Sequence, residues 1–137
     1  MSIRRRFSLV AHLSSLVAAL CLLACRERPI PTMSDDLGRP VTIPASVSRV
    51  VTLAPNLTEI AYAVGAGEKV VGTDDSSDYP DHAARKPKVG GMQPNIEKLV
   101  GLNPDLVLAS TEGNHPSLAP ALAGAQIPLF VDRKSVV

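Results

Sequence analysis

From Arg49 to Val131 the chain repeats one pattern, a short apolar run followed by a helical stretch and then another apolar run. Val50-Val51-Thr52-Leu53 is nearly continuous in apolar character, as strands buried on both faces are. Pro55 ends that run, and Asn56 is placed to cap the next helix with Glu59 in the capping-box position. Leu57, Ile60, Ala61 and Val64 then recur at helical intervals and form the expected buried face, before Gly65 or Gly67 stops the helix. Lys69 to Thr73 reads as a second strand because of its β-branched residues, and a polar loop covers 74–88. Pro94 and Asn95 open another helix with Ile96, Leu99, Val100 and Leu102 on one face, and Asn103-Pro104 closes it. Asp105 to Ala109 is the third expected strand, Pro116 to Ala123 a short helix ending at Gly124, and Ile127 to Val131 the fourth strand. Such alternation predicts an α/β lobe, a mostly parallel sheet with flanking helices and functional loops at the carboxyl ends of its strands. Ahead of it, Asp35 to Pro44 predicts a small hairpin.

The first 24 residues have the parts of a secretory signal: Arg4, Arg5 and Arg6, an apolar run from Leu9 to Leu23, and small residues near a cleavage point. Leu22-Leu23-Ala24-Cys25 has the form of a lipobox, which makes 1–24 a lipoprotein signal peptide and Cys25 the lipidation site. A buried leader cysteine like Cys21, an uncleaved signal anchor and a twin-arginine signal at Arg4-Arg5-Arg6-Phe7 are the alternatives. Cleavage leaves Cys25 as a lone cysteine, so no disulfide framework is expected. Residues 25–33, with Pro29 and Pro31 among charges, read as a tether between lipid and domain, and past it no stretch is long enough to span a membrane. The expected location is the periplasm or cell surface, as a membrane-anchored lipoprotein.

Of the 14 basic residues three lie in the leader, so the remainder is outnumbered by 13 acidic residues and no nucleic-acid partner is implied. A 137-residue chain has room for one ordinary domain, here 34–131. The last six residues, Asp132 to Val137, are what GATCGGAAGAGCGTCGTG would encode, a string like sequencing-adapter DNA, so 132–137 is expected to be a non-native tail. No nucleophile elbow, P-loop or paired-histidine helix argues for an enzyme, and no cofactor is expected. His82 and His115 could join aspartates in a metal site, against the commoner reading as solvated loop histidines. Asp74, Asp75, Asp78 and Asp81 lack calcium-loop spacing and read more readily as a solvated acidic loop. Tyr79 stands in Ser76-Ser77-Asp78-Tyr79-Pro80, where a phenol can stack on or hydrogen-bond a ligand or simply pack on Pro80.

Three segments together carry a resemblance: Arg49 to Glu59, Ser77-Asp78-Tyr79-Pro80, and Asn95 to Val100 followed by Asn103 to Ala109. In order and spacing they resemble the N-terminal lobe of the periplasmic cobalamin and iron-siderophore binding proteins of ABC importers, with the greatest likeness to the cobalamin-binding members. The resemblance implies a Rossmann-like lobe, half of a two-lobe protein joined by a long helix, with the second lobe absent here. It implies a monomer that captures a corrinoid, or alternatively a ferric siderophore or haem, and delivers it to an inner-membrane permease and its ATPase. It places Pro55 and Asn56, and the loop bearing Tyr79, beside the ligand, and aligns Ser76, Gly91 and Ser110 with aromatic residues that line the corrin site in family members. Glu97 matches an acidic residue that docks on permease arginines, its alternative being an ordinary solvated helix charge.

Overall fold

A computed structural model describes residues 31–112 and 117–133. The leader, Cys25, His115 and residues 134–137 lie outside them. A two-stranded antiparallel hairpin of β1 (Thr32–Ser34) and β2 (Pro40–Thr42) leads into a four-stranded parallel sheet. The sheet strands are β3 (Val50–Thr52), β4 (Val70–Thr73), β5 (Leu106–Ser110) and β6 (Leu129–Asp132), in the order β4-β3-β5-β6. Helices α1 (Pro55–Ala63), α2 (Asp81–Ala84), α3 (Ile96–Gly101) and α4 (Leu118–Gly124) occupy the connections. The α/β architecture and the parallel sheet expected from the alternation are present. Among the described residues no helix is long and apolar enough to cross a membrane.

Chain order reverses at β3: the chain moves out to β4, then returns to the other side of β3 to lay down β5. A reversal of this kind parts the loops at the carboxyl ends of neighbouring strands and leaves a crevice between them. Beneath it the core is continuous, with Val51, Val107, Ala109 and Val131 from the sheet meeting Leu99 of α3 and Leu118 and Leu122 of α4.

Several sequence expectations are corrected. Asn56 does not cap α1. The capping position is Ala54, in extended conformation without a side-chain cap, and Pro55 takes the first helical turn, where its missing N–H costs nothing. Asn95 does cap α3, its side-chain oxygen accepting the Lys98 N–H at 2.8 Å. The buried side of α1 is Leu57, Thr58 and Ala61, while Ile60 and Val64 are 53% and 72% exposed. The apolar periodicity misjudged this face because Thr58 occupies it with a hydroxyl that finds partners inside. Thr32 and Met33, read as tether, belong to β1, and the polar loop after β4 contains the one-turn α2. Asp132 pairs with Ser110 at the end of β6.

Two carboxylates fix the entrance to the sheet. Asp35, buried, would be raised by desolvation, but hydrogen bonds and charge from Arg39 and the Leu37 N–H outweigh this and hold it below its ordinary value. Asp105 accepts the Ser48 N–H and hydroxyl at 2.8 and 2.9 Å and the Arg49 N–H at 2.9 Å, and is lowered by those bonds. Asp132 is raised, by burial first and then by Asp36. A lowered carboxyl gives stability that is complete above its unfolded value, near pH 4, and lost as pH falls through its folded value. The raised Asp132 acts in the opposite sense, losing its contribution as pH rises. With two lowered groups against one raised, the thermal midpoint is expected to drop on acidification below about pH 4. Asp105→Asn should flatten that drop in melts recorded from pH 6 to 3; an unchanged slope would remove Asp105 from the account.

Candidate functional site

The crevice at the order reversal is a cleft of about 550 Å³. Its wall comes from the ends of three strands: Leu53, Ala54, Pro55, Asn56 and Glu59 after β3, Asp74 and Ser76 after β4, and Ser110 and Glu112 at and after β5. Gly91 and Met92, in the turn before α3, complete it. Of the residues singled out from sequence, Pro55, Asn56, Ser76, Gly91 and Ser110 come together here from distant parts of the chain. Tyr79 does not line this cleft and stands 67% exposed. Glu97 is exposed in the first turn of α3 and does not line the cleft. His82 is exposed on α2, and among the described residues no three His, Cys, Asp or Glu side chains are grouped to hold a metal.

Behind the wall runs a chain of buried polar groups. The Thr52 and Thr58 hydroxyls lie 2.6 Å apart, Thr58 Oγ1 is 2.8 Å from Ser77 Oγ, and Ser77 donates to Asp74 Oδ1. Asp74 Oδ2 accepts the Ser76 N–H at 3.0 Å. Lys88 ties down the same loop by donating to the Thr73 hydroxyl at 2.9 Å and to the Ser77 carbonyl. Thr52, Thr58, Ser77 and Asp74 are all buried, Asp74 to 4% exposure. The reading of a solvated acidic loop is thus corrected at Asp74: Asp75, Asp78 and Asp81 are exposed, whereas Asp74 is an internal anchor.

This network joins the start of α1 to the loop after β4, the two segments that carry Asn56 and Ser76 into the cleft. A hydroxyl chain inside a low-dielectric core is rigid when every member is paired, because breaking any link strands a desolvated polar group. Gly90 adds a second constraint. It has a φ of +110°, and a Cβ there would stand 3.1 Å from the Gln93 carbonyl oxygen. Its carbonyl accepts the Asp75 N–H at 3.1 Å, holding the Gly91 turn against the Asp74 loop.

Sequence reasoning did not find Leu53, Ala54, Glu59, Asp74, Met92 and Glu112 as cleft residues, nor the network. The available signal was polar residues at buried positions: Thr52 in an apolar strand, and Thr58 on the inner face of α1.

The geometry has known relatives. Residues 50–136 match the family described as periplasmic binding protein, and the chain belongs to that family. It is 45% identical over 78 residues to the uncharacterized ABC transporter substrate-binding lipoprotein YvrC of Bacillus subtilis, covering 57% of this chain and 25% of the relative. It is 41% identical over 92 residues to the vitamin B12-binding protein of Yersinia pestis, covering 66% and 33%. Among solved structures it is similar to the periplasmic heme-binding protein RhuT from Roseiflexus sp. RS-1, with a TM-score of 0.60 and 32% identity, over 64% of this chain and 34% of the other. The chain therefore spans between a quarter and a third of the length of the curated relatives it matches. The recognition made from the three sequence segments agrees with this family.

Proposed function

We propose that this chain is the N-terminal lobe of a non-enzymatic receptor that captures a cobalamin-like corrinoid outside the inner membrane and delivers it to an ABC permease with its ATPase. The observation that carries the reading is the cleft itself, formed at the order reversal from loops of three strands, in a chain 41% identical to a vitamin B12-binding protein. Pro55, Asn56, Ser76, Gly91 and Ser110 form the ligand-facing wall in this proposal, with the exposed Tyr79 as a further ligand contact. Binding is by shape and backbone polar groups, with no covalent step. The facing half of the site comes from a second lobe of the complete protein, since small-molecule sites bury most of their ligand.

Glu97, exposed at the start of α3, is the proposed docking charge for the permease. Lipid attachment at Cys25 keeps the receptor at the membrane, a reading supported by the lipobox form and by a relative named as a lipoprotein. The second reading, haem or ferric-siderophore capture, is favoured by the likeness to a heme-binding structure. Calorimetric titration of the protein from its complete reading frame separates the two. One-to-one heat with cyanocobalamin is the expected result; silence with cyanocobalamin together with saturable binding of haemin or a ferric siderophore would move the function to iron uptake.

A further inference from the structure

The wall of the cleft carries acidic side chains, and one of them, Glu59, takes no part in the buried face of its helix. Glu59 and Asp74 line it together with Glu112, and among the described lining residues none is basic. Asp74 is buried, and its carboxylate is held by an O–H from Ser77 and an N–H from Ser76 rather than by a cationic side chain. Glu59 is exposed at the cleft edge of α1, outside that helix's buried face. An ionised carboxylate only accepts hydrogen bonds, so such a wall is complementary to N–H donors and repels anions. Between low-dielectric walls this repulsion is less screened than in water.

We propose that Glu59 is a specificity determinant, set beside the buried Asp74, so that this lobe takes a ligand presenting neutral or positive donors such as carboxamides and discriminates against the same ligand carrying carboxylates. The proposal rests on the cleft being the ligand site, and it names a chemical class within that reading. A corrin ring edged with propionamides satisfies it, and a porphyrin with ionised propionates does not.

The probes are cyanocobalamin and its monocarboxylic acid derivatives, in each of which one propionamide is hydrolysed. For the complete protein in low salt, at least one derivative should bind about tenfold or more weakly than the amide. That penalty should shrink as salt rises. It should also shrink in Glu59→Gln and disappear in Glu59→Lys, an exposed position where neither substitution disturbs packing. Equal affinity for amide and acid forms, or a penalty unchanged in both variants, overturns the inference while leaving corrinoid capture standing. If cyanocobalamin does not bind at all, the proposed function fails instead, and haemin becomes the probe. Tight haemin binding by the unaltered protein would then overturn the charge assignment too, because the haemin propionates are ionised, whereas weak haemin binding that Glu59→Lys tightens would support it.

Discussion

Leu99→Ala is expected to cost about 2–5 kcal/mol of stability, the range for truncating a fully buried leucine in a packed core. Leu99 is completely buried in the cluster where α3 and α4 meet Val107 and Val131 of the sheet, so few neighbours are free to move into the space. Since a small domain is stable by only about 5–15 kcal/mol, this one change removes a large share. The natural control is Val64→Ala, 72% exposed after α1, which should stay within about 0.5 kcal/mol. Denaturant midpoints of the two variants give the comparison. A large loss at Val64 would mean that the helix face read from periodicity, rather than the one in the structure, meets the core.

Asp74→Ala should cost about 1–3 kcal/mol, because the buried Ser77 hydroxyl loses an acceptor and the Ser76 N–H loses its turn partner. The effect should reach the cleft. With the anchor gone, Ser77 keeps its link to Thr58 but the turn at Asp74–Ser76 loses its internal acceptor, and amide exchange at Ser76 and Ser77 should rise more than exchange in β5. Uniform acceleration across the sheet would show that Asp74 contributes to global stability without positioning the loop.

The contrast between these positions shows what was legible beforehand. The β-α alternation, the strand assignments and the helix opening at Pro94 and Asn95 follow from local pattern, because apolar period and turn chemistry act over a few residues. The order reversal and the cleft were anticipated only in kind, as loops at strand ends, and the particular wall residues Ser76, Gly91 and Ser110 came from the likeness to a family. Asn56 is not the cap because the helix begins at Pro55, which puts Asn56 inside the first turn and Ala54 at the capping position, a boundary that local sequence leaves open. Asp74 was misread as solvated because its partners, Ser77 and through it Thr58, are assembled by the tertiary fold. Buried polar networks are poorly visible in sequence for this reason: each member looks like a surface residue until its partner is in place.

The central claim is that the cleft between the ends of β3, β4 and β5 holds a corrinoid. The most direct test is amide hydrogen exchange of the complete protein with and without cyanocobalamin. Slowed exchange concentrated in residues 54–59, 74–77 and 90–92 is the predicted result. One-to-one binding that leaves those three segments unprotected, or protects instead the second groove, lined by Val41 and Thr42 of β2 and Ala119 and Ala123 of α4, would contradict it.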